Sequence, residues 1–142
     1  MLKHSLLVAT LLTSPTVLAN TIFIGDSIAD GYKKYNKGMG FTKVGANPKT
    51  VLSYVHSASY RDVSKVILSS GISNNCHSIS TVKDQLFYLS VKPVNIILLG
   101  NNNCNGANDT LKLMCSKYSN CKFESIPYGR DGIHPNQYNK KF

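Results

Sequence analysis

Two short stretches hold residue types that could do covalent chemistry: Gly25-Asp26-Ser27 near the start, and Asp131-Gly132-Ile133-His134-Pro135 near the end. A serine hydroxyl, an imidazole and a carboxylate are the parts needed for nucleophilic attack on an ester carbonyl. Aspartate three residues before histidine, with a glycine turn between them and a proline after, lets one loop present a base together with the carboxylate that fixes its tautomer. Each stretch also has an ordinary use. Asp-Ser at a helix start is a common N-cap, and a lone Asp-x-x-His is commonly a solvated loop. Their chemistry therefore depends on whether the fold brings them together.

The elements between them predict that it does. Thr21-Ile22-Phe23-Ile24 reads as a buried strand ending at Gly25, followed by a helix from about Ser27 to Tyr35. Phe41 to Val44 reads as a second, weaker strand, and Asn47-Pro48 as the start of a helix with Val51, Leu52 and Val55 along one face. Val66-Ile67-Leu68 is a third strand, closed by Ser69-Ser70-Gly71, and Ser80 to Leu89 a helix. Val94 to Leu99 is too apolar to lie on a surface. A helix from Thr110 to about Lys117 and a strand from Lys122 to Ile126 follow, and Pro127 to Phe142 reads as loop with one helical turn. Five short strands separated by helices describe a parallel sheet covered on both faces, an α/β sandwich. In such sheets ligands bind beyond the carboxyl ends of the strands, where Ser27 and the Asp131–His134 loop both fall.

Residues 1–19 stand outside this pattern. Lys3, the apolar run Leu6 to Leu12, the break at Ser14-Pro15 and the small residues of Val17-Leu18-Ala19 form a secretory signal peptide. The run is far shorter than the roughly 20 apolar residues of a membrane span. Cleavage after Ala19 leaves one domain, residues 20–142, secreted or periplasmic and with no transmembrane segment. Of 142 residues, 42% are apolar and 16% charged, too ordinary for a disordered chain. The formal charge of +9, lowered by one with Lys3, favours anionic partners: envelope polymers or lipid surfaces rather than nucleic acid, since no recognition module is evident.

Export makes the four cysteines legible as disulfides. Cys76–Cys104 would join loops after neighbouring strands, and Cys115–Cys121 would span a helix-to-strand turn. No C-x-x-C or H-x-x-x-H spacing offers a zinc set, and neither His56 nor His77 has a companion acid at useful spacing.

From Ile22-Phe23-Ile24-Gly25-Asp26-Ser27-Ile28 to Asp131-Gly132-Ile133-His134-Pro135, the chain resembles the SGNH hydrolase superfamily, the GDSL esterases and lipases, as a small exported bacterial-type member. The resemblance implies a flavodoxin-like, three-layer fold on a five-stranded parallel sheet. It makes Ser27 the nucleophile, His134 the general base and Asp131 its partner, with no metal or cofactor. The Gly-x-Ser-x-Gly elbow of the larger α/β-hydrolases is absent.

The oxyanion hole is less regular. The family places a glycine after the second strand, where the natural alignment here puts Pro48, which has no N–H, so Gly45 is the substitute. The family's Gly-x-Asn-Asp block has three rivals: Gly71-Ile72-Ser73-Asn74-Asn75, Gly100-Asn101-Asn102, and Gly106-Ala107-Asn108-Asp109. The last matches the letters, but the first follows the strand expected beside that of Ser27. Topology therefore selects Asn74, then Asn75, and leaves Asn108 and Asp109 as a helix cap ahead of Thr110. The expected function is an exported serine esterase, with an ester substrate, a short acyl or acetyl ester on an envelope glycan or lipid. The alternative is a non-catalytic module of the same fold that binds envelope polysaccharide or lipid through its basic face. Lys33, Lys34, Lys37, Lys43 and Lys49, with Tyr32 and Tyr35, make that face, which is either a solvated surface or an attractor of anionic substrate toward Ser27.

Overall fold

The computed structural model describes residues 20–71, 79–101 and 106–142. Five strands, β1 (Thr21–Gly25), β2 (Met39–Thr42), β3 (Lys65–Ser69), β4 (Asn95–Leu99) and β5 (Cys121–Glu124), form one parallel sheet in the order β2-β1-β3-β4-β5. Four helices connect them: α1 (Ser27–Tyr35), α2 (Pro48–Ser57), α3 (Val82–Ser90), entered through a 3-10 turn at Ile79–Thr81, and α4 (Ala107–Ser116). No described helix is long and apolar enough to cross a membrane.

The apolar runs become the central strands because both sheet faces are covered. Side chains alternate along a strand, so Ile22, Ile24, Val66, Leu68, Ile96 and Leu98 enter one core with Val51 and Val55 of α2, Leu86 of α3 and Leu111 of α4. Phe23, Ile67, Ile97 and Leu99 enter the other with Ile28 and Tyr32 of α1. Ile126, Ile133, Tyr138 and Phe142 complete that second layer. The C-terminal stretch contains turns and bends rather than the expected helical turn. Its aromatic side chains supply the cover instead: Tyr138 and Phe142 each meet the Tyr32 ring edge-on at 4.9 Å. Gly31 makes the seat, since a Cβ there would collide with the Tyr138 ring. Lys65 Nζ donates to the Phe142 carbonyl at 3.0 Å, and Lys140 Nζ to that of Ser125 at 2.7 Å, which pins the stretch along its length.

Two elements differ from the sequence reading in ways that bear on the site. The second strand lies at Met39–Thr42 rather than Phe41–Val44. Its register with β1 runs from Ile22 opposite Met39 to Gly25 opposite Thr42, and Gly40 packs so tightly on Phe23 that a Cβ would strike the Phe23 carbonyl. Backbone pairing, to which a glycine adds no hydrophobic signal, sets this strand. Val44 consequently falls in a turn, Lys43–Ala46, closed by Ala46 N–H to the Lys43 carbonyl at 3.1 Å.

The last helix starts at Ala107, not Thr110, with Gly106 before it at φ +80°. Asn108 and Asp109 are therefore in its first turn and not a cap ahead of it. Asn108 Oδ1 accepts the Asn101 N–H at 2.8 Å, so its side chain ties the loop after β4 to α4. Cys115 and Cys121 form a disulfide that joins the end of α4 to the start of β5, with Cα atoms 5.4 Å apart. The other expected pair, Cys76–Cys104, lies outside the described residues, as does His77.

Candidate active site

The ends of β1 and β3 make the floor of the site. Asp26 is fully buried and caps α1, its Oδ1 accepting the Ile28 N–H at 3.2 Å and the Ser69 hydroxyl at 2.7 Å. The Asp26 N–H donates to the Ser69 carbonyl at 3.1 Å. The cap reading of Gly-Asp-Ser thus falls on Asp26, and Ser27 is left as the first helical residue, half-buried, with its N–H among those no helical carbonyl can satisfy. Ser69 was not singled out in the sequence. The signal existed only as a serine closing the strand that pairs with β1.

Ser27 Oγ lies 2.6 Å from His134 Nε2 across a separation of 107 residues. On the other side of the ring, His134 Nδ1 lies 2.7 Å from Asp131 Oδ2. Asp131 Oδ1 meanwhile accepts the backbone N–H groups of Ile133, at 2.8 Å, and His134, at 2.7 Å. Those N–H groups, that of Ile133 foremost, and the imidazole hold the Asp131 carboxyl down from 3.8 to about 2, so it is ionised at any ordinary pH. An anion on one ring nitrogen favours the tautomer with the proton on Nδ1 and the lone pair on Nε2, facing the serine hydroxyl.

The loop that carries both residues is closed at its base by Gly129 N–H to the His134 carbonyl at 2.6 Å and Gly132 N–H to the Gly129 carbonyl at 3.0 Å. Asn136 Oδ1 accepts the Arg130 N–H at 3.1 Å and fills the space a side chain on Gly129 would need. Tyr138 then docks the loop against α1. Neither Asn136 nor Tyr138 was apparent as a support in the sequence, because both act through contacts within the folded loop. The His134 side chain is 35% exposed and that of Asp131 54%, so both can be reached from solvent in the described structure.

Gly45 stands third in the turn Lys43–Ala46 with φ +83°, a left-handed conformation that glycine adopts without strain. Lys43 N–H donates to the Gly25 carbonyl at 3.0 Å, which holds this turn beside the end of β1. Pro48 is the first residue of α2, after the N-cap Asn47. Asn74 and Asn75 lie outside the described residues. The described residues before them end at Gly71, just past the β3 end that touches Asp26. Of the rival segments, Gly100-Asn101 follows β4, one strand further from β1, and Asn108 is engaged with the Asn101 backbone. His56 lies in the last turn of α2 and packs against Tyr88, with ring centroids 4.7 Å apart. Among the described residues, no three His, Cys, Asp or Glu side chains cluster as metal ligands would.

No protein-family model and no curated protein matches the chain. Solved structures do. The C-terminal catalytic domain of Streptococcus pneumoniae peptidoglycan O-acetyltransferase A (OatA), solved with a methylsulfonyl adduct, superposes with a TM-score of 0.63 at 15% identity, over 81% of this chain and 79% of that one. A GDSL-like lipase from Bacteroides thetaiotaomicron superposes with a TM-score of 0.58 at 13% identity, over 96% of this chain and 89% of that one. The chain has the SGNH/GDSL hydrolase fold: a five-stranded parallel α/β sandwich, as its motifs and strand order led one to expect.

Proposed function

We propose that this protein is an exported serine esterase of the SGNH/GDSL superfamily, acting through an acyl-enzyme. The observation that carries the reading is the unbroken line from Ser27 Oγ to His134 Nε2, and from His134 Nδ1 to Asp131 Oδ2. Ser27 Oγ attacks the ester carbonyl while His134 Nε2 takes its proton, and Asp131 steadies the imidazolium. The tetrahedral oxyanion is met by the Ser27 N–H at the positive end of α1, by the Asn74 amide, and by the Gly45 N–H. Collapse expels the alcohol with the proton from His134. Water, deprotonated by the same nitrogen, then releases the acid and restores Ser27. The steps need no metal or cofactor.

Two features support the setting. Residues 1–19 read as a leader, and the Cys115–Cys121 disulfide suits an oxidising compartment. A base that can be reached from solvent favours a short acyl group, such as acetyl, on a bulky alcohol such as an envelope glycan. A second reading, in which a sugar hydroxyl replaces water as acyl acceptor, is favoured by the likeness to a domain named for peptidoglycan O-acetyl transfer. A binding module of the same fold would have no use for three side chains in this alignment.

A fluorophosphonate reagent tests the reading. It should label the folded protein once, at Ser27, and labelling should vanish in Ser27→Ala; a folded protein that takes no label would end the esterase proposal. The Asn74 assignment has its own test, since losing one oxyanion donor costs on the order of a hundredfold or more in kcat. Asn74→Ala should show that loss, whereas full turnover in both Asn74→Ala and Asn75→Ala would move the donor elsewhere.

A further inference from the structure

The β2 edge of the sheet is unlike the rest of the surface. Among the described residues β2 pairs on one side only, with β1, and no strand lies on its outer side. Along it and the turn beyond, Met39 is 64% exposed, Phe41 42% and Val44 66%. Phe41 is backed by the Tyr54 ring of α2, stacked at 6.1 Å. Lys37 precedes this row, Lys43 interrupts it and Lys49 follows at the start of α2, all three exposed. Among the described residues none of these lysines has an acidic partner within ion-pair distance, while the nearby Asp30 is taken up by Lys34 at 2.9 Å and by Thr42 at 2.7 Å.

Aliphatic and aromatic side chains left in water among unpaired cations call for a partner that is both apolar and anionic. A second copy of the chain is a poor occupant, because edge-to-edge pairing would bring two rows of lysines together. A soluble anionic polymer would neutralise the lysines but leave Met39 and Val44 in water. A bilayer surface rich in anionic lipid meets both demands, with phosphates for the lysines and the acyl boundary for the apolar row.

We propose that the β2 edge is an interfacial docking surface for anionic lipid membranes. The Lys43–Ala46 turn that carries Val44 is bonded to the Gly25 carbonyl, two residues before Ser27, so this edge adjoins the end of β1 that leads into the candidate site. The surface stands apart from the esterase reading and is tested without hydrolysis.

The protein recovered from an exporting bacterial host, carrying Ser27→Ala, is sedimented with sucrose-loaded vesicles of phosphatidylcholine, with and without phosphatidylglycerol. Binding should require phosphatidylglycerol, weaken as salt rises, and fall by about tenfold or more both in Met39→Ser/Val44→Ser and in Lys43→Glu/Lys49→Glu. Thermal unfolding of both variants should match the parent, since the altered side chains are exposed. Failure to sediment, or equal binding by parent and both variants, would overturn the proposal. So would loss on charge reversal alone, which would assign the edge to a soluble polyanion. None of these failures would touch the labelling of Ser27.

Discussion

Replacing His134 with alanine should lower ester turnover by about four to six orders of magnitude, with little change in KM. The expectation follows from geometry. The serine hydroxyl is a poor nucleophile at neutral pH, and among the described residues the basic nitrogen in contact with it is Nε2 of His134, at 2.6 Å. Removing it takes away both the acceptor for the serine proton and the donor for the leaving alcohol. Asp131→Asn should do less, because the ring stays in place while its preferred tautomer is no longer enforced. The imidazole is one-third exposed at the loop surface, so its loss should shift unfolding free energy by no more than about 1 kcal/mol. Kinetics of a short-chain ester with urea denaturation of the same samples would check both parts. Retained turnover in a folded His134→Ala protein would remove the imidazole from the mechanism.

A large effect on stability should come from a residue outside the proposed triad. Gly25 ends β1 at φ +146°, and a Cβ there would run into the Ser69 carbonyl, which also accepts the Asp26 N–H. Nothing at that contact is the movable end of a side chain. Gly25→Ala must therefore part β1 from β3 or break the Asp26–Ser69 bonds, at a cost of about 3–5 kcal/mol. For a domain of this size the melting temperature should fall by more than about 10 °C. Gly45→Ala is the control. Its φ is also left-handed, but nothing lies within 4 Å of the added methyl, so only backbone strain of about 1 kcal/mol is expected. Equal melting temperatures for the two variants would mean that the close approach at Gly25 carries no weight.

The contrast between these glycines shows how much the sequence disclosed. β1, β3 and β4 were readable because a strand buried on both faces must be apolar throughout. β2 lies two residues before the stretch its apolar side chains point to, since its placement comes from backbone pairing through Gly40, and a glycine leaves no hydrophobic trace. Ser27, Asp131 and His134 could be picked out because each pair of neighbours had a local signature, a strand-to-helix junction and a tight loop. The Ser69–Asp26 and Tyr138–Gly31 contacts could not, because they join residues far apart in the chain. Asn108 shows the converse: its letters fit a motif that topology set aside, and its side chain is occupied in holding the Asn101 backbone.

Ser27 and His134 enter the chain 107 residues apart, and the layer behind His134 is built from the C-terminal stretch itself. A growing chain thus carries the serine through nearly all of its synthesis with no base beside it. On the proposed mechanism the hydroxyl gains its base only once the stretch that carries His134 and Tyr138 has packed against α1. The site is then complete only when the C-terminal stretch has docked, and a fragment that stops short of residue 134 should keep the sheet's apolar strands and yet fail to attack an ester.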